Sequence, residues 1–492
     1  MSDAIAGKPS NAKAFSGFFW MMTLGIIARV AGFLTQMILS RILSQNDFGE
    51  IGLAYTVITV ATMASNFGVD DVLVQRGKQL GLWASTGLII SFVLGLIGAV
   101  AIIVAAPIAA TYYHIPRISD ILLIASVTLP ITALATPALA KLRQDLRFRS
   151  VSAITGVEIL VTSCATILLA KLGFGALSFV LPVPFTIAGR VIAYWVLAPV
   201  PLTRFRFRLV PRIFGRSLAV WAHRVVVTLI SQADYVLLGL MTTTEKVGYY
   251  YFAFRLANQP LMIMANSLQS ILFPLLTQHQ RDEKRQLRIL LRVLSAVNFV
   301  VMPVCFLQAT AAPWLVPLFF GDKWAPAVIL VEILTLGLCV EAAAWQAGAL
   351  LSARGNFVAT FKYTFLLSLM FVPFIVLGYH LAGVTGVAYG VAAYYLISSA
   401  AFTYLALRKD SVTLKSVAYL YGIPASISFV TAAVGRVVGN YVVDQAGYFA
   451  AIAAAGLVGL PVYLLLWRSF GRDSFDMIFE KVTGRLGKFF RK

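Results

Sequence analysis

One feature constrains this chain more than any other. Apolar runs of about 20 residues, the length a helix needs to cross a bilayer, recur from end to end with only short polar links between them. Scanning for them yields about fourteen, near 15–40, 50–69, 82–106, 121–140, 151–170, 175–198, 217–240, 247–276, 289–311, 326–352, 359–379, 383–406, 415–436 and 446–467. Little chain is left over for a soluble domain. Composition agrees, with 60% hydrophobic and 12% charged residues, where soluble domains carry about a quarter charged. The reading is an all-α integral membrane protein, since a helix satisfies its own backbone hydrogen bonds in lipid. Residues 1–14 are polar and the first apolar run outlasts a signal-peptide core, so no cleaved signal is expected.

A formal charge of +20 would point to nucleic acid in a soluble protein. Here its placement follows the spans. With the N-terminus started in the cytoplasm, thirty of the forty Lys and Arg fall in inside segments. Only six fall outside: Arg41, Arg117, Lys171, Lys246, Lys323 and Arg436. That alternation is the positive-inside pattern. It predicts cytoplasmic termini and an even helix count, and makes the basic excess a topology signal instead of a nucleic-acid surface. Cys164, Cys305 and Cys339 lie within spans without paired spacing. His114, His223, His279 and His380 share no motif. No metal site, cofactor or catalytic group is expected.

The longest cytoplasmic link, PVPLTRFRFRLVPRIFGR at 199–216, is basic and Pro-bounded. It divides six spans (15–198) from six more (217–406), with two further spans within 407–467 and a tail at 468–492. The tail sets Phe475, Phe479, Val482, Leu486, Phe489 and Phe490 near one stripe opposite Lys and Arg, as an amphipathic helix on the inner leaflet would. The halves read as copies. LSQNDFGEIGLAY (43–55) aligns with MTTTEKVGYYYFAF (241–254), pairing Gly49 with Gly248 and Ala54 with Ala253. LGFGALSF (172–179) resembles AGVTGVAY (382–389), pairing Gly175 with Gly386. Six helices per copy make the duplication parallel, about an axis along the membrane normal. GVAYG (386–390) and GRVVG (435–439) have the small-residue spacing that lets helices approach closely.

Four arginines remain inside spans: Arg29, Arg190, Arg224 and Arg255, with Glu158, Asp234, Glu332 and Glu341 as acidic company. An ion at mid-bilayer costs about 2.5–3.5 kcal/mol on insertion scales, so these groups line a wet cavity or pair with one another. On the seventh span, Arg224, Thr228, Ser231 and Tyr235 share a face that Gln232 and Asp234 flank. Arg29, Gln36 and Ser40 share a face of the first span, and Asn258 follows Arg255 on the eighth. A guanidinium keeps its proton when partly desolvated, and its planar fork matches phosphate oxygens. Arginines in both halves therefore make a cationic lumen for an anionic substrate, bordered by Gln36, Gln232 and Asn258. Structural pairing with a carboxylate is the competing use of each. Asp234, Glu341 and Glu158 are the candidates for coupling to an ion, since a carboxylate in a low-dielectric cavity can exchange protons near neutral pH.

SRILSQNDFGEIGLAY (40–55), NFGVDDVLVQR (66–76) and YYFAFRLANQP (250–260) resemble the Wzx-type flippases. These belong to the polysaccharide transporter family of the multidrug/oligosaccharidyl-lipid/polysaccharide exporter superfamily. The resemblance spans about 15–470. It implies two six-helix lobes in a V around a central cationic cavity, plus two C-terminal helices. It implies undecaprenyl-diphosphate-linked oligosaccharide as cargo, flipped across a bacterial inner membrane by alternating access, with the pathway's polymerase and export machinery as partners. Arg29 and Arg255 match the family's cavity arginines in helix and depth. Fourteen helices also occur in lipid II flippases, which keeps that cargo open. A multidrug exporter of the same superfamily would favour an acidic cavity. A membrane-embedded polymerase or glycosyltransferase would need a larger outside loop or a carboxylate/His constellation.

Overall fold

The structure, a computed structural model, describes residues 30–65, 67–75, 79–145, 147–262, 272, 276 and 282–470. Arg29, the segment 1–14 and the proposed amphipathic tail beyond 470 lie outside the described residues. Among the described residues, eight helical stretches are each long and apolar enough to cross a membrane. Two of them are merged pairs that divide at Ala382–Gly383 and at Gly447, where the backbone leaves helical geometry. The fourth span, Arg117–Gln144, is broken and bends by 48°. Adding it, the first span Val30–Ile42, the second Gln45–Ser65 and the eighth, which begins as Thr244–Ala257, accounts for fourteen spans.

Residues 1–240 and 241–492 form two compact units. The seventh span, Val210–Met241, therefore groups with the first unit, although the duplication makes it the opening helix of the second repeat. Its contacts show why. Gly239 lies against Leu53 and Tyr113, leaving no room for a Cβ. Trp221 stacks on Phe67 with ring centroids 4.6 Å apart.

The second span starts on a reciprocal cap. Ser44 donates its N–H and hydroxyl to Asp47 Oδ2 (2.9 and 2.7 Å), and the Asp47 N–H donates back to Ser44 Oγ (3.2 Å). Asp47 Oδ1 also accepts the Ala176 N–H at 3.0 Å, tying this span to the turn before the sixth. The corresponding helix start at Thr243 has no side-chain cap. Burial nonetheless repeats. Phe48, Ile51, Leu53 and Ala54 are buried, and so are Val247, Tyr250, Phe252 and Ala253, the residues 199 positions on. In the second unit these side chains join an aromatic cluster, with Phe252 stacked on Trp324 at 4.2 Å and edge-on to Phe320 at 4.9 Å.

Backbone conformation refines the second match. Gly173 (φ +88) and Gly383 (φ +59) both take the left-handed turn before the sixth and twelfth spans. Gly175 (φ +56) turns there as well, whereas its expected partner Gly386 does not. Gly386 sits inside its helix, face to face with Gly378, where a Cβ on either would run into the other's carbonyl. GVAYG therefore seats the twelfth span on the eleventh. GRVVG serves the thirteenth: Gly435 rests on Ala455 of the fourteenth span and Gly439 on the Trp314 ring of the ninth.

Candidate functional site

In the first unit the charged and polar groups gather where the fifth span (Phe148–Lys171) meets the sixth (Val183–Leu197). Arg190 Nη1 donates to Glu158 Oε2 at 3.0 Å. One turn away on one side Thr155 and Tyr194 share a hydrogen bond of 3.2 Å, and on the other Thr162 donates to Thr186 at 3.0 Å. The two candidates Arg190 and Glu158 thus belong to a polar zipper between antiparallel helices. Their side chains are 21% and 12% exposed, so the pair is largely withdrawn from solvent. The Arg190 Nε–H still has no acceptor.

Beside this zipper lies a cavity of about 380 Å³. The second span contributes Thr62 and Ser65 to its wall, the bent fourth span Thr128, Thr132 and Thr136, and the sixth Arg190 and Tyr194. Phe67 and Asp70 also line it. Arg143 binds Asp70 at 2.9 Å, and the Gln144 amide donates to the carbonyls of Leu73 (2.9 Å) and Val74 (3.1 Å) in the same short helix. The break in the fourth span falls at the prolines the sequence supplies, Pro130 and Pro137. Threonine hydroxyls bond back to carbonyls through the same stretch.

The seventh span turns Thr228, Asp234, Tyr235 and Leu238 inward and leaves Val227, Leu229, Val236 and Leu240 exposed. Of the expected face, Thr228 and Tyr235 are buried and Ser231 is half-buried, and the flanking Asp234 is 1% exposed. Asp234 Oδ1 accepts the Tyr235 N–H at 3.0 Å. Gln232 Nε2 lies 3.4 Å from Ser231 Oγ, and both residues are half-buried. Arg224 is exposed. It sits ten residues from Asp234, about 15 Å along a helix axis, so the two do not pair directly. On the first span Gln36 is 2% exposed, and neither end of its amide has a hydrogen-bond partner.

In the second unit Arg255 is half-buried in the last turn of Thr244–Ala257, its Nη1 3.4 Å from the Tyr251 hydroxyl. Asn258 follows as a half-buried cap residue. The Leu256 carbonyl beside Arg255 accepts from Gln308 Nε2 of the ninth span at 2.9 Å. Gln308 thus fixes the helix end that carries Arg255. Sequence reading missed it because a lone glutamine in a long apolar span has no motif. Glu341 lies apart from these, accepting from Trp345 Nε1 at 3.0 Å. Glu332 meets Arg436, whose Nη1 is 3.0 Å from Glu332 Oε1 and 2.7 Å from the Thr310 carbonyl. Arg436, counted by charge as an outside-loop residue, lies within the thirteenth span and docks it on the ninth and tenth. The described residues contain no group of three His, Cys, Asp or Glu able to hold a metal.

Fourteen spans that carry charged groups within both units define a multi-pass membrane protein of the exporter type. The fold is similar to that of the lipid II flippase MurJ in an inward closed conformation, with TM-score 0.73 and 14% identity, over 92% of this chain and 99% of that one. It is also similar to an inward-facing multidrug resistance MATE family transporter of the MOP superfamily, with TM-score 0.64 and 15% identity, over 79% and 95% of the two chains. More particularly, residues 38–329 match the polysaccharide biosynthesis protein family, and the chain belongs to that family. Among its relatives, the lipopolysaccharide biosynthesis protein WzxC of Escherichia coli strain K12 is 22% identical over 391 residues, 79% of either chain. The succinoglycan biosynthesis transport protein ExoT of Rhizobium meliloti strain 1021 is 26% identical over 312 residues, 62% of either chain.

Proposed function

We propose that this protein is a flippase that moves polyprenyl-diphosphate-linked oligosaccharide across the bacterial inner membrane for exopolysaccharide, capsule or O-antigen synthesis. The observation that carries the reading is the family match over residues 38–329 in a chain whose fold follows a lipid II flippase over 92% of its length. The cargo has a charged diphosphate, a polar glycan and an apolar tail. The tail stays in lipid while the head needs a polar path, and alternating access changes the side to which that path opens.

Arg29 and Arg255 serve the diphosphate, with Arg224 as a further cation. Guanidinium forks bind phosphate oxygens in pairs and stay charged away from water. Gln36, Gln232 and Asn258 supply neutral hydrogen bonds along the same path. The ion pair narrows the role of Arg190, which supports the first unit through Glu158 and keeps its Nε–H without a protein acceptor. Asp234, buried on the span that opens the second repeat, is the leading residue for ion coupling, ahead of Glu341 and Glu158. Asp234→Asn is expected to remove the dependence of transport on an imposed ion gradient, and transport that still follows the gradient would refute this.

Both termini are placed in the cytoplasm by loop charge. A reporter fused at Lys323 is expected outside and one at Arg208 inside; the reverse result would invert the topology. Arg29→Ala and Arg255→Ala are each expected to abolish polysaccharide export while the protein still accumulates in the membrane. Normal export by both variants would refute the assignment.

A further inference from the structure

We propose that the cavity inside the first unit is a subsite for a neutral sugar of the cargo, separate from the arginines that serve the diphosphate. The proposal rests on the flippase reading and adds where the glycan is held. At about 380 Å³, the cavity falls within the range of about 300–1,000 Å³ typical of small-molecule sites.

Its wall has a definite hydrogen-bonding character. Thr62 donates its hydroxyl proton to the Ile58 carbonyl and Ser65 to Ala61, both at 2.7 Å. Thr128 donates to Ala125 at 2.6 Å, Thr132 to Thr128 at 2.8 Å and Thr136 to Ala133 at 2.8 Å. A hydroxyl that has given its proton to its own helix keeps two lone pairs. The second and fourth spans therefore face the cavity as rows of acceptors.

The charges in the wall are balanced. Asp70 is paired with Arg143 at 2.9 Å and Arg190 with Glu158 at 3.0 Å. A diphosphate calls for surplus cations and a metal ion for an unbalanced carboxylate, so neither fits this wall. A sugar does fit, because it brings several O–H donors for the threonine and serine oxygens. Its ring or hydroxyl oxygens can accept the Arg190 Nε–H, which has no acceptor of its own. Phe67, Leu129 and Leu139 are among its apolar lining residues and suit the C–H face of a pyranose ring. Desolvating these polar atoms without partners costs free energy, which a polyhydroxylated ligand recovers.

The test uses the full chain in lipid nanodiscs. Probes are undecaprenyl diphosphate alone and the same lipid carrying one hexose or one N-acetylhexosamine, taken as a panel. Wild type is expected to bind at least one glycosylated lipid about tenfold more tightly than the bare one. Thr132→Val with Thr136→Val keeps side-chain shape and removes the oxygens. This double variant is expected to bind bare lipid as wild type does and to lose most of the sugar preference. If it fails to fold, as read by its melting midpoint, Ser65→Ala carries the same comparison. Bare-lipid binding without a sugar preference in wild type, or with the preference intact in the folded variants, overturns the subsite alone. Binding of neither lipid by wild type overturns the flippase reading and the subsite with it.

Discussion

The last two spans of each repeat solve one packing problem in opposite ways. In the first unit the fifth and sixth spans are joined by side-chain hydrogen bonds at three successive levels, Thr155–Tyr194, Glu158–Arg190 and Thr162–Thr186. In the second unit the eleventh and twelfth meet through glycines, with Gly378 against Gly386 and Gly390 against the Phe374 carbonyl. Polar pairs hold two helices together at side-chain length. Glycines bring the backbones into contact and spend no polar group on it. The polar version lies beside the hydroxyl-lined cavity and contributes Arg190 and Tyr194 to its wall. Duplicated topology thus does not dictate duplicated chemistry.

The comparison predicts unequal responses to substitution. Gly378→Leu is expected to have the largest effect, because its new side chain meets backbone, which cannot rotate away. It should cost about 3 kcal/mol, the upper end of what overpacking costs, and sharply reduce the folded protein recovered from membranes. Wild-type recovery and melting would refute the close contact. Glu158→Gln is expected to be milder, since it strands Arg190 in a setting that is only partly exposed. A fully buried broken pair costs about 3–5 kcal/mol, and exposure lowers this to about 2. Replacing both partners, as Glu158→Leu with Arg190→Leu, should recover most of the stability, although the cavity loses its donor. A double variant no more stable than Glu158→Gln alone would show that the pair is not what the single change disrupts.

Much of the architecture is legible in residue patterns because lipid leaves few options. Apolar runs give the spans. GVAYG and GRVVG mark true close contacts. Legibility falls where several helices decide the outcome together. Arg436 counts as a loop cation by position, yet the thirteenth helix continues through it and Glu332 from the tenth takes its charge. Arg190 and Glu158 look like stranded ions until two helices are set antiparallel. The threonines of the cavity are unremarkable singly, and their common direction depends on the bend of the fourth span. Gly386 pairs with Gly175 by sequence, but Gly383 makes the turn before the twelfth span.

The most direct test reconstitutes the purified protein in sealed vesicles with undecaprenyl-diphosphate-linked oligosaccharide. The rate at which the glycan moves between leaflets is then measured for wild type and for Arg255→Ala matched in folded protein. The account predicts movement by wild type and a loss of at least about tenfold in the variant, roughly 1.4 kcal/mol in the barrier. No movement by wild type, or equal rates in both, would contradict it.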